Sequence, residues 1–89
     1  MTPFAKKVYK AVAKIPLGQV RTYKWVAKKA GKPRAWRAVG TLMKNNPYPL
    51  VIPCHRVVKS SGDIGGYAWG ERTKKTLINL ERQIQEMMV

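Results

Sequence analysis

Eighty-nine residues with 18 Lys and Arg against 4 Asp and Glu carry a formal charge of +14. A chain of this length closes one small core, which excludes a two-domain enzyme with its own cofactor fold, and its 45% hydrophobic content excludes a disordered basic tail. Cys54 and His55 are the only residues of their types, too few for an internal disulfide or a four-ligand zinc site within this chain.

The elements follow in order. Thr2 caps and Pro3 opens a first helix over 3–14, with Phe4, Val8, Ala11, Val12 and Ile15 at helical spacing, ending before Pro16-Leu17-Gly18. Thr22 caps a second helix over 23–30 that Gly31 stops. Pro33 opens a third helix through about Lys44, burying Ala35, Ala38, Val39 and Leu42. Helix, glycine turn and helix over about 22–45 outline a helix-turn-helix, which any helical hairpin shares. Asn45-Asn46-Pro47-Tyr48-Pro49 breaks the helix, and Leu50-Val51-Ile52 reads as a short β-type run ended by Pro53. Ser60-Ser61-Gly62-Asp63 and Gly65-Gly66 read as turns around Val57-Val58 and Ile64. A last helix over about 71–87 carries a stripe of Leu77, Ile78, Leu80, Ile84 and Met87. The expected fold is mainly α, one domain over 1–89, with an irregular β and turn segment over about 46–70.

Charge divides the chain. Asp63, Glu71, Glu81 and Glu86 all fall in the second half, whereas residues 1–45 hold twelve basic residues and no acid. That pattern makes nucleic acid the first candidate partner, with a merely solvated basic surface as the alternative; an anionic membrane fits less well because the basic helices carry core-type apolar faces. No apolar run nears the roughly 20 residues that cross a bilayer, and Lys6, Lys7, Lys10 and Lys14 interrupt any signal-peptide core. A cytoplasmic, nucleoid-associated protein, or a nuclear one in a eukaryote, is expected, with no membrane, metal or cofactor.

Chemistry concentrates in Pro53-Cys54-His55-Arg56-Val57. A free Cys is often only a small buried hydrophobe. Here it neighbours the one imidazole in a segment whose surrounding positive charge favours thiolate. Adjacent residues of an extended segment point opposite ways, so a bridging water between Cys54 and His55 is an open alternative to direct contact.

Nearly the whole chain resembles the C-terminal, DNA-binding and active-site domain of the O6-alkylguanine-DNA alkyltransferases, the methylated-DNA–protein-cysteine methyltransferases. The pieces occur in family order: Thr2-Pro3-Phe4, Ile15-Pro16-Leu17-Gly18, Thr22-Tyr23, Arg37-Ala38-Val39-Gly40, Asn46-Pro47, Ile52-Pro53-Cys54-His55-Arg56-Val57, Gly65-Gly66-Tyr67, Lys75 and Glu81. The resemblance implies a small winged-helix-like, helix-turn-helix domain that transfers an alkyl group from O6 of guanine in duplex DNA to its own cysteine, once, without cofactor, as a monomer docked in the minor groove. It makes Cys54 the acceptor, His55 the group that takes the thiol proton through a water, Glu81 its orienter and Asn46 the amide that fixes the active-site turn. Tyr23 becomes the residue that crowds a phosphate as the base rotates and bonds the extruded base, and Arg37 the finger that fills the gap in the stack. Arg34 and Lys32 fall to phosphate binding, while Ala35, Ala38 and Gly40 permit close approach. Pro49, Val57, Tyr67, Ala68 and Trp69 outline the guanine pocket.

Two positions depart from the pattern. Trp36 stands where a small residue is frequent, either packed inward or wedged at the groove, and Trp69 brings an indole to the pocket rim, where it would favour methyl over bulkier groups. Family members commonly carry a domain ahead of this one; with the chain beginning at the catalytic part, reduced stability is expected more than lost chemistry. An alkyltransferase-like damage sensor is the alternative, although such proteins usually carry Trp in place of the acceptor Cys. A plain basic DNA-binding module would leave Pro53-Cys54-His55-Arg56 without a role.

Overall fold

The computed structural model describes residues 2–61 and 63–88. Four helices, α1 (Pro3–Ala13), α2 (Tyr23–Lys29), α3 (Trp36–Lys44) and α4 (Glu71–Met87), surround two short strands, β1 (Arg21–Thr22) and β2 (Val57–Val58), and one 3-10 turn, Cys54–Arg56. The fold is mainly helical, as the sequence implies.

Local chemistry sets most helix ends. Thr2 Oγ1 accepts from the Ala5 amide at 3.1 Å and Thr22 Oγ1 from the Trp25 amide at 3.0 Å, so the expected threonine caps form on α1 and α2. Helix α2 ends on Gly31, whose φ of 89° lets the Gly31 and Lys32 amides turn back onto the carbonyls of Lys28 and Ala27. Helix α3 begins at Trp36, three residues later than its proline suggests, because 33–35 form a turn. Its buried residues are Val39 and Met43; Ala38 faces solvent and Ala35 and Leu42 are half-buried, a correction to the expected face.

The core joins α1, α2 and α3. Val8, Val12, Val26, Val39 and Val57 are fully buried, each worth about 1.5–3 kcal/mol of transfer free energy. Tyr9 crosses it, donating its hydroxyl to the Leu42 carbonyl at 3.1 Å and so locking α1 to α3. Strand β1 pairs in parallel with β2, Arg21 opposite Val57 and Thr22 opposite Val58. This pairing, invisible in the sequence because two residues show no period, sets the start of α2 beside the Cys54 turn.

Three further expectations change. Leu50 and Val51 form a turn, with Leu50 at φ 76° and an isolated bridge between Pro49 and Ile52, so the β-type run is absent. Ser60 and Ser61 turn, closed by the Lys59 amide on the Asp63 carbonyl at 3.0 Å, while Gly62 lies outside the described residues. Gly65-Gly66 is open backbone, and the turn follows at Ala68-Trp69, closed by the Gly70 amide on the Tyr67 carbonyl. Helix α4 has the expected bounds but another face: Lys74 and Ile78 are buried, whereas Leu80 and Met87 are 48% and 84% exposed. At about 100° per residue, Lys74, Ile78 and Glu81 share one side, and Leu80 and Met87 fall off it. Among the described residues no helix is long and apolar enough to cross a membrane.

Candidate active site

Cys54 opens the 3-10 turn and is fully buried. The turn is held from both flanks. On one side, Asn46 at the end of α3 donates Nδ2 to the Ile52 carbonyl at 3.0 Å and accepts the Tyr48 amide on Oδ1 at 2.9 Å. On the other, Arg56 donates Nη1 to the Ile15 carbonyl at 2.8 Å and grips Glu81 through Nε at 2.8 Å and Nη2 at 2.6 Å. Asn46 and Arg56 therefore fix the loop that carries the thiol.

His55 is buried, with Nε2 at 3.0 Å from Glu81 Oε2. That contact has ion-pair length but not the in-line geometry of a hydrogen bond, and neither ring nitrogen finds a hydrogen-bond partner among the described residues. The thiol and imidazole thus make no direct hydrogen bond. Burial alone would raise the Glu81 carboxyl, but the Arg56 hydrogen bonds and the facing His55 outweigh it and hold the pKa below the ordinary value. Glu81 is therefore a carboxylate shared between Arg56 and His55.

The electrostatics around sulfur oppose one another. Burial pushes the Cys54 thiol above its ordinary pKa, whereas the Asn46 side chain and the charge of Lys74 pull it back. Lys74, wholly buried on α4, donates Nζ to the Gly66 carbonyl at 3.1 Å and lies 5.6 Å from the centre of the Tyr23 ring. Its pKa falls to about 8, by burial first, with Cys54 and Glu71 working the other way. Sequence pattern pointed to the neighbouring Lys75, which is exposed. The better signal is spacing, since Lys74 stands two turns before Glu81 on the face that holds Ile78.

Tyr23 is buried under the Gly65-Gly66 segment; burial raises its pKa, partly offset by a hydrogen bond with the Gly66 backbone. A Cβ on Gly65, at φ 81°, would collide with the Tyr23 hydroxyl. Tyr67 is buried too, its unpartnered hydroxyl pushed up to about 12 by burial first and then by Cys54 and Glu81. Its ring stands edge-on to His55 at 6.2 Å and to Trp69 at 6.0 Å. Trp69 is half exposed, Ala68 exposed and Pro49 half-buried, while the Val57 side chain belongs to the core and leaves only its backbone to a pocket.

A cleft of about 540 Å³ runs beside this centre, lined by Tyr23, Lys24, Trp36, Arg37, Gly40 and Lys44 from the helices and by Lys59 to Ser61 and Gly66. Trp36 lies on the surface between Lys24 and Arg37, whose charged groups sit 5.8 and 5.0 Å from its ring. Packing inward is thereby excluded. Arg34 and Ala35 do not join this cleft; with Lys32 and Pro33 they line a separate depression in the turn before α3. Cys54 does not line this cleft and is fully buried, whereas Tyr23 and Gly66 both line it. Among the described residues there is no cluster of metal ligands.

Comparison with known proteins agrees with this arrangement. Residues 3–83 match the family model described as 6-O-methylguanine DNA methyltransferase, DNA binding domain. The methylated-DNA–protein-cysteine methyltransferase of Methanosarcina barkeri is 51% identical over 80 residues, covering 90% of this chain and 51% of that protein. The chain thus spans about half the length of the curated relatives it matches. The crystal structure of Mycobacterium tuberculosis OGT in complex with DNA superposes with a TM-score of 0.89 at 41% identity, over 93% of this chain and 52% of that one. S. pombe Atl1, in complex with damaged DNA containing O6-carboxymethylguanine, gives 0.79 at 40% identity, over 91% and 77%. On the strength of the matched model and of these identities, the chain belongs to the family of 6-O-methylguanine DNA methyltransferase DNA-binding domains.

Proposed function

We propose that the chain is a single-turnover DNA repair module that moves the alkyl group of O6-alkylguanine in duplex DNA onto Cys54. The reading rests on one observation: a buried Cys54 and His55 share a turn, with Glu81 at 3.0 Å from the imidazole. A DNA-binding module has no use for a carboxylate facing an imidazole next to a buried thiol.

Each residue has a step. Lys24, Arg34, Lys44 and Lys59 neutralise phosphates, and α3, with small Ala38 and Gly40 and with Ala35 just ahead of it, docks in the minor groove. The target base leaves the stack, at a cost of a few kcal/mol, while Tyr23 crowds its phosphate and Arg37 fills the gap. The base enters a pocket edged by Pro49, Tyr67, Trp69 and the backbone at Val57 and Ala68, which requires the rim over the buried sulfur to give way. His55, held by Glu81, takes the thiol proton through a water. The thiolate then attacks the alkyl carbon; the C–S bond forms as the C–O6 bond breaks, its electrons pass to the purine, and the proton that His55 took is returned to the guanine, which leaves hydrogen-bonded by Tyr23. The products are guanine and an S-alkyl cysteine, a thioether that no residue here can cleave.

A damage-sensor reading has a specific support, because S. pombe Atl1, solved in complex with damaged DNA, superposes at a TM-score of 0.79 and 40% identity. Cys54, present where such sensors carry Trp, favours transfer. Intact-protein mass after incubation with an O6-methylguanine duplex separates the two. One added methyl, absent in Cys54→Ala, is the expected result; tight binding with no mass gain would establish the sensor.

A further inference from the structure

A second basic surface lies across α2 from the cleft described above. Lys7 and Lys10 of α1, Lys14 at its C-cap, Arg21 of β1 and Lys29 of α2 line a groove of about 510 Å³ floored by Ala11, Ile15, Pro16 and Trp25. At about 100° per residue, Tyr23 and Lys24 fall on one side of α2 and Trp25 and Lys29 on the other. The two grooves share no residue. No acid lines this one, and none of its five cations pairs with a carboxylate among the described residues.

We propose that this groove holds the phosphate backbone of a second duplex segment, so that one copy of the chain bridges two DNA segments. Five unneutralised cations in one concave surface call for a polyanion. Lys7, Lys10 and Lys14, at spacings of 3 and 4 on one helix face, span roughly 10 Å, over which one strand of B-DNA presents about three phosphates. Arg21 is pre-set, with Nη1 donating to the Val20 carbonyl at 2.9 Å and Nη2 to Gln19 Oε1 at 2.7 Å. Single-stranded nucleic acid fits less well, because stacking needs a free aromatic face and Trp25 already carries Arg21 and Lys29, each 5.5 Å from its ring. A membrane fits less well again: none of the exposed large hydrophobic residues lines the groove, leaving nothing to insert.

The proposal rests on duplex binding at the α3 side, and the test keeps the two apart. Donor- and acceptor-labelled duplexes are mixed with protein at low salt, and energy transfer between them reports bridging. Wild type is expected to bridge with one protein copy per duplex pair, as counted by light scattering. Lys7→Gln/Lys10→Gln/Lys14→Gln, all exposed positions, should cut bridging at least tenfold and flatten its log–log salt dependence by about 3. The same variant should bind a single duplex and gain a methyl on Cys54 as wild type does. An equal-charge control, Lys6→Gln/Lys28→Gln/Lys75→Gln, should still bridge. Absence of bridging in wild type, equal loss in the control, bridging through two protein copies, or use of these three lysines for phosphatidylserine vesicles but not a second duplex would each overturn the proposal. A protein that bridges but never gains the methyl would instead refute the transfer reading alone.

Discussion

Lys74 carries its charge where burial costs most. Its folded pKa of about 8, against 10.5, means that the unfolded chain binds more protons between those values, so burying the ammonium costs stability at neutral pH and the cost fades as pH rises toward 10.5. The size is about 3 kcal/mol, against roughly 1 kcal/mol from the bond to the Gly66 carbonyl. Lys74→Met should therefore stabilise the fold at pH 7 by about 1–2 kcal/mol in urea unfolding, with the gain shrinking at high pH. The same change removes a cation that favours thiolate, so the pH–rate profile of transfer should move to higher pH and transfer at pH 7 should slow. Gain of stability with loss of rate is the signature of a charge kept for chemistry. Gly65 is the steric counterpart. With φ at 81° and the Tyr23 hydroxyl in the way, Gly65→Ala meets strain and collision together and should cost about 2–3 kcal/mol, a fall in Tm of roughly 10 °C or more. Tyr23→Phe takes away the colliding oxygen but leaves ring carbons at 3.0 and 3.3 Å, so the double variant should recover most of the collision part but not the φ part.

Helix caps give the same comparison among elements. Thr2 and Thr22 each accept one amide hydrogen bond, so Thr2→Ala and Thr22→Ala should each lose about 1 kcal/mol. Of these two, only α2 begins at a site residue. Thr22 is also opposite Val58 in the parallel pair, so its loss loosens Tyr23 against the Cys54 turn, and single-turnover transfer should slow in Thr22→Ala while Thr2→Ala matches wild type. Equal rates would mean that the Gly65 contact alone places Tyr23. These caps were legible because a hydroxyl before a helical apolar pattern is a local signal, and the bounds of α4 were legible for a related reason. Which side of α4 is buried is not local. The side is chosen by Glu81 reaching Arg56, 25 positions away, and by Lys74 reaching Gly66, so a count of apolar residues picked Leu80 and Met87 instead. The 50–52 run failed likewise, because the Asn46 amide takes the Ile52 carbonyl and bends β-prone residues into a turn. Cys54, His55 and Asn46 come together as their motif implied, whereas Arg56, a positioning residue for both the turn and Glu81, had no signal beyond its place in that motif.

On the scale of the whole molecule, the +14 charge and the buried thiol belong to different regimes. In the proposed function, exposed lysines around α3 act on DNA through a field that salt screens within about 10 Å at 0.1 M, and a duplex held by six or more phosphate contacts should lose on the order of a thousandfold in affinity between 50 and 200 mM salt. Cys54, Lys74 and Glu81 interact inside the protein, where salt ions do not enter. Once DNA is saturating, the rate of methyl gain on Cys54 should therefore change by less than about twofold over the same range, while apparent Kd rises steeply. Arg37→Ala separates the two regimes from the other side. It removes one of 18 cations, lowering the salt slope by about 1, and, on the proposed role of Arg37 as stack filler, leaves the gap of the extruded base unfilled, so transfer at saturation should fall about tenfold or more with duplex affinity mostly kept. If instead the saturated rate fell with salt as steeply as binding does, the chemical step would have to be limited by a screened surface contact, and the assignment of Arg37 as stack filler would give way to one of phosphate anchor. Measuring both salt profiles, for wild type and Arg37→Ala, by single-turnover mass spectrometry and by anisotropy of a labelled duplex, distinguishes a molecule whose charge brings DNA to it from one whose charge also turns the base over.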